Sequence, residues 1–190
     1  MVQQIVLPIK DSNVLKMVQD TLLDSFRAGR RNYTIFQVGK ATLLRVSDVM
    51  TLKKSDVYNP DGSVKNTAFI HDKKTVKANT LYLKPVQQDL LQYHDWLVQQ
   101  NINSDWLFPS TAYSDRHITE KQFYKVMARV GGLLGNHLGT HTMRKTGAYR
   151  VYMQSNYNIV LVMHLLNHSI EAMALTYLGL DQTSRETMLD

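Results

Sequence analysis

The sequence predicts a mostly α-helical domain with one small antiparallel β-sheet, an α+β fold. Apolar residues recur at helical spacing in the first quarter and the last third, and one central stretch switches to two short extended runs. The turn-forming residues cluster between these segments, with no repeat, low-complexity tract or Gly/Ser linker to divide the chain. With 190 residues, 44% of them hydrophobic and 20% charged, the chain can bury a sizeable core as one domain.

Taken in order, Val14, Leu15, Val18, Leu22, Leu23 and Phe26 form a helical stripe after the caps Asp11 and Ser12, with Gly29 as its stop. A second helix is expected over Tyr33 to Leu43. A third starts at Ser47, whose hydroxyl would cap the helix ahead of Val49 and Leu52. The main break is Asn59-Pro60-Asp61-Gly62-Ser63. Thr67 to His71 and Thr80 to Leu83 then read as a β-hairpin with a lysine-rich tip. Pro85 suits a first helical turn, Leu90, Leu91 and Leu97 supply an apolar stripe, and Trp106-Leu107-Phe108 reads as a short buried segment. Thr119 with Gln122 has the form of a capping box opening a helix toward Leu134. Three further helices are expected at about Thr142 to Met153, Asn158 to Leu166 and Ser169 to Leu178.

Composition excludes several classes. The longest apolar runs fall far short of the roughly 20 residues a bilayer span needs, and the first residues lack the basic start of a signal peptide. Zero cysteines exclude disulfides, thiolate metal sites and cysteine nucleophiles, and fit a reducing, cytoplasmic setting. Gly39-Lys40-Ala41-Thr42 lacks the upstream glycine of a P-loop, Gly131 to Gly135 lacks the dinucleotide pattern, and no Gly-x-Ser-x-Gly elbow occurs. The net charge of +6 favours a polyanionic partner such as nucleic acid, or equally a surface with excess lysine.

Two regions carry candidate chemistry. In Gly139-Thr140-His141-Thr142-Met143-Arg144-Lys145, the residues His141, Arg144 and Lys145 stand at i, i+3 and i+4 and would share one helix face, suited to a phosphate. Downstream, Tyr177 follows His168 by nine positions, which one continuous helix would place on opposite sides. Ser169 as the N-cap of a new helix would let the chain turn at His168 and bring both side chains to one cleft. His137/His141 and His164/His168 are i, i+4 pairs that zinc could use, but neither pair includes a carboxylate, and no metal is expected.

Together these residues resemble the tyrosine recombinases, the phage-integrase family. The resemblance is carried by Arg45 in Leu44-Arg45-Val46-Ser47-Asp48, a lysine in the hairpin Lys73-Lys74-Thr75, His141-x-x-Arg144, His168 in Leu-Asn-His-Ser, and Tyr177. It covers nearly the whole chain and is most specific over Thr42 to Val57 and Thr140 to Gly179. Leu43 and Asn167 depart from it, standing where relatives usually have glycine. The resemblance is greatest to short, stand-alone integrase-like proteins of bacterial mobile elements. Arg45 comes too early for the N-terminal DNA-clamping domain of longer relatives, so residues 1–190 are expected to form a single catalytic domain, either a minimal enzyme or an excised one.

The resemblance implies a site-specific recombinase that cleaves and rejoins DNA through a 3′-phosphotyrosyl intermediate, with no cofactor. Arg45 and Arg144 would clamp the phosphate, Tyr177 would attack it, and His141 would accept the phenolic proton or bond the phosphate. His168 would bond a non-bridging oxygen, and Lys74, or Lys73 or Lys77, would protonate the leaving 5′-oxygen. The cationic pocket is expected to favour the phenolate of Tyr177. The implied partners are double-stranded DNA at recombination sites, further copies of the chain as a tetramer on that DNA, and accessory DNA-bending proteins; no membrane is expected. The implied setting is bacterial, cytoplasmic and nucleoid-associated. The alternatives are a recombinase-derived DNA-binding regulator and a type IB topoisomerase-like relaxing activity.

Overall fold

The structure, a computed structural model, describes residues 5–71, 74 and 78–181. Their order is α1 (Ser12–Asp24), α2 (Gly29–Thr42), α3 (Val46–Met50), α4 (Lys54–Val57), β1 (Thr67–His71), β2 (Ala78–Tyr82), α5 (Gln87–Gln99), α6 (Glu120–Leu134), α7 (Thr142–Gln154), α8 (Ile159–Leu166) and α9 (Glu171–Tyr177). The expected mostly helical architecture with one two-stranded antiparallel sheet is what forms.

Local chemistry sets most boundaries. The Asp11 carboxylate accepts from the backbone N–H groups of Asn13 (2.7 Å) and Val14 (3.0 Å), which starts α1. Thr119 and Gln122 form the reciprocal capping box, the Gln122 N–H donating to the Thr119 hydroxyl at 3.1 Å and the Thr119 N–H to the Gln122 side chain at 2.9 Å. Pro85 lies in a 3-10 turn, Lys84–Val86, that leads into α5. In the hairpin Thr67 pairs with Tyr82 and His71 with Ala78, so β2 begins two residues earlier than its sequence pattern suggests. Ala68 and Leu81, a cross-strand pair, both face the core.

Three expected signals are corrected. Gly29 opens α2 rather than closing α1. Ser47 lies inside α3, whose N-cap is Arg45, so its hydroxyl is not the cap. Ser169 does not start the last helix, because α9 begins at Glu171 after Ile170, with no side-chain cap. The turn is made instead by Asn167 in the left-handed conformation (φ 56°, ψ 38°). The N–H groups of Asn167 and His168 fold back onto the carbonyls of His164 (3.2 Å) and Met163 (2.8 Å), a helix-ending arrangement open to asparagine. The axes of α8 and α9 then differ by 88°. The short α4 had no sequence signal strong enough to show it.

The buried side chains form two clusters. The larger gathers residues from α1, α2, α5 and α6, among them Val18, Leu22, Ile35, Phe36, Leu90 and Phe123, with Phe108 from the segment between α5 and α6. The smaller consists of Leu43, Ala148, Val162, Leu166 and Leu178. Helices α2 and α7 are drawn together by two glycines. A Cβ on Gly147 would lie 2.0 Å from the Lys40 carbonyl oxygen, and one on Gly39 would lie 2.3 Å from the Met143 sulfur. This approach brings the end of α2, just before Arg45, beside the first turn of α7, which carries Arg144. Among the described residues no single helix is long and apolar enough to cross a membrane.

Candidate active site

The last residue before the Leu44-Arg45 pair sets the backbone of the site. Leu43 caps α2 in the left-handed conformation (φ 57°, ψ 23°), a state that costs a non-glycine residue about 1–2 kcal/mol. Its side chain enters the small cluster whereas that of Leu44 enters the large one. Arg45 follows, half-buried at the N-cap of α3.

Arg144 is buried, 7% exposed, and is oriented by two helix ends. Its Nε donates to the Leu43 carbonyl at 2.6 Å and an Nη to the Leu166 carbonyl at 3.3 Å. Both acceptors stand at helix C-termini, where carbonyls lack intrahelical partners and the dipole favours a cation. The anticipated shared face of His141, Arg144 and Lys145 is therefore split. Arg144 turns inward, while Lys145 donates to the Val6 carbonyl at 2.7 Å and lies 5.0 Å from the Tyr177 ring centroid. His141 is the exposed N-cap residue of α7.

His168 and Tyr177 meet edge to face, their ring centroids 5.3 Å apart and their planes at 82°. The Arg144 guanidinium carbon lies 5.8 Å from the Tyr177 ring centroid. The Tyr177 hydroxyl and His168 Nδ1 are both buried and make no hydrogen bond of standard geometry. Arg144 is near enough to act on the hydroxyl as a charge and a poorly aligned donor.

The electrostatics correct one expectation. Burial raises the Tyr177 pKa above 10.0 and outweighs the opposing effects of Arg144 and Arg45, so these surroundings favour the phenol over the phenolate. His168 is held below 6.5, first by burial and then by the charges of Arg144 and Arg45. His141 is lowered too, by desolvation from the protein on its inner side and by Lys145 and Arg144, against a weaker opposite pull from Glu120. Both imidazoles are thus biased toward the neutral form.

The fold brings Arg45, Arg144, His168 and Tyr177 within electrostatic reach of one another, with His141 beside Arg144. Lys74 stands on the exposed tip of the hairpin, and Lys73 and Lys77 lie outside the described residues. Two contacts around the end of α9 had no reading in the sequence: Lys145 over the Tyr177 ring, and Lys10, which donates to the Gly179 carbonyl at 2.9 Å across 169 positions. Among the described residues no three His, Asp or Glu side chains converge to hold a metal ion.

This fold is that of the catalytic domains of tyrosine recombinases. It superposes on the XerH site-specific recombinase bound to palindromic difH substrate in a post-cleavage complex, with TM-score 0.67 and 20% identity, covering 98% of this chain and 53% of that one. A lambda integrase dimer bound to a COC′ core site gives TM-score 0.66 and 14% identity over 95% of this chain and 62% of that one. The chain thus spans from about half to under two thirds of the length of these structures. The phage integrase family model matches residues 9–183, and the chain belongs to that family. A probable integrase/recombinase of Bacillus subtilis (strain 168), YoeC, is 28% identical over 179 residues, 94% of this chain and 92% of the relative. Family and fold together support site-specific recombination as the class of activity.

Proposed function

We propose that the chain is a DNA strand-exchange enzyme in which Tyr177 forms a covalent bond to a backbone phosphate. The observation that carries this reading is the pair of buried polar atoms without a well-formed hydrogen bond, Tyr177 Oη and His168 Nδ1, facing the charges of Arg144 and Arg45. Buried polar atoms are nearly always satisfied, and exceptions concentrate where a ligand completes the set. A phosphodiester supplies acceptor oxygens for the histidine and arginines, and an electrophilic phosphorus for the tyrosine.

In the proposed step the Tyr177 Oη–P bond forms as the P–O5′ bond breaks, leaving a 3′-phosphotyrosyl linkage. Arg45 and Arg144 stabilise the charge that collects on the non-bridging oxygens, and each well-aligned donor of this kind is worth about 3 kcal/mol. Because burial raises the Tyr177 pKa, the phenol is the favoured form at neutral pH, so its proton must leave during attack. His141, biased toward the neutral form, is assigned to accept it. Lys74, or Lys73 or Lys77, returns a proton to the 5′-oxygen. Reversal by a 5′-hydroxyl of a partner strand rejoins the DNA without ATP. The DNA bound in the XerH and lambda integrase complexes supports duplex DNA as the substrate here, and exchange between two duplexes calls for several copies of the chain.

The test is incubation with nicked duplexes from the ends of the source element, whose released strand cannot rejoin, followed by denaturing gels and peptide mapping. A covalent adduct on Tyr177, insensitive to chelator and absent from Tyr177→Phe, is expected. An adduct on another tyrosine, such as Tyr149 or Tyr152, refutes the assignment.

A further inference from the structure

We propose that Lys10 is a positioning residue for Tyr177, clasping the segment before α1 onto the end of α9 and so holding the nucleophile's helix against Arg144 and His168. The proposal rests on the reading of Tyr177 as nucleophile.

Helix α9 has only seven residues, of which Ala174 is the one buried, and a helix this short gains little from intrinsic propensity. Its Tyr177 and the adjoining Leu178 pack in the small cluster. Residues 6–10 add a separate tether. The Ile9 N–H donates to the Thr146 hydroxyl at 3.0 Å, and Lys145 donates to the Val6 carbonyl while lying over the Tyr177 ring, so the segment is fixed along α7. From that base Lys10 reaches the Gly179 carbonyl at 2.9 Å, with its ammonium also 5.2 Å from the Tyr149 ring centroid.

The fit at Gly179 is close. It takes a left-handed conformation (φ 62°), and a Cβ there would lie 3.3 Å from Leu7 and 3.6 Å from both Pro8 and the Lys10 ammonium. Burial lowers the Lys10 pKa, partly offset by Asp181, as fits an ammonium drawn out of water to meet a carbonyl. A cation just past the C-terminus of α9 also complements the helix dipole. The carbonyls that orient Arg144 belong to Leu43 and Leu166, which Lys10 does not touch. Loss of the clasp therefore loosens the attacking group and leaves the phosphate clamp in place.

The experiment compares the full chain with Lys10→Met, Lys10→Gln and Lys10→Arg. Hydrogen exchange followed by mass spectrometry should show residues 171–181 exchanging roughly tenfold faster in Lys10→Met, as expected for one lost charge-assisted hydrogen bond, with the large core unchanged and Lys10→Arg close to wild type. Single-turnover capture on nicked DNA should slow by a similar factor at saturating DNA while the half-saturating DNA concentration stays constant, and Lys10→Arg should restore the rate. If Lys10→Met loses its helical circular dichroism, Lys10→Gln, which removes the charge and shortens the reach to the Gly179 carbonyl, is read in its place. Unchanged exchange at 171–181, an increase spread evenly over the chain, or equal loss in Lys10→Arg overturns the clasp. A wild-type chain that forms no Tyr177 adduct refutes the nucleophile, and the exchange data still decide the clasp.

Discussion

Replacing Leu43 sets backbone strain against packing at a single residue. Leu43 is 6% exposed, and its side chain is one of five in the small cluster. Leu43→Ala keeps the left-handed strain and removes the packing, so it should cost about 3 kcal/mol, within the usual range for a buried leucine. Leu43→Gly loses the same packing but relieves about 1–2 kcal/mol of strain, less about 0.5–1 kcal/mol for the greater freedom of glycine in the unfolded chain. The expected order of stability is wild type, then glycine about 2 kcal/mol lower, then alanine. In a chain of this size 2 kcal/mol lowers the melting temperature by about 4–8 °C. Asn167, also left-handed (φ 56°) but exposed, is the control: Asn167→Gly should stay within about 1 kcal/mol of wild type. Urea unfolding of the four proteins measures these differences. A Leu43→Gly variant more stable than wild type, or less stable than Leu43→Ala, refutes the reasoning.

Other substitutions and conditions test separate parts of the structure. Tyr177→Phe removes a buried hydroxyl that lacks a well-formed hydrogen bond, so thermal melting should be unchanged or raised by the equivalent of up to about 1 kcal/mol. Gly147→Ala forces a Cβ to 2.0 Å from the Lys40 carbonyl and should destabilise by about 3 kcal/mol or more, whereas Gly132→Ala, facing open space on α6, should gain about 0.5–1 kcal/mol in the same assay. His168 and His141 have folded pKa values below the 6.5 expected of the unfolded chain, so the fold favours their neutral forms. Their contribution to stability is full above about pH 6.5 and is lost as pH falls through the lowered values. The melting temperature should drop between pH 7 and pH 5, and His168→Asn should reduce that drop; an unchanged slope refutes the assignment for His168.

What could be read from the sequence followed the range of the interactions involved. Asp11 and the Thr119/Gln122 box act on neighbours within three positions, so their helix starts were legible. Ser47 and Ser169 carry the same chemistry, yet the helices start elsewhere, because Arg45 and the left-handed Asn167 set the backbone path. The family pattern named the residues that the fold gathers around Arg144, but not how they are held. Arg144 is oriented by carbonyls of Leu43 and Leu166, and a backbone acceptor leaves no trace in residue identity. The sign of the Tyr177 shift was missed for a related reason. Counting cations along the chain ignores desolvation, which only the packed structure reveals.

The divergence of Leu43 and Leu44 into different clusters gives the two halves of the proposed chemistry unequal permanence. Arg45 follows Leu44, whose side chain lies in the main body of the protein, whereas both carbonyls that orient Arg144 belong to residues of the small cluster, Leu43 and Leu166. Tyr177, the proposed nucleophile, packs against that same small cluster, which has five buried side chains. Within the proposed chemistry, gentle warming should therefore loosen Tyr177 and Arg144 together, so that covalent capture of DNA is lost before the large core unfolds.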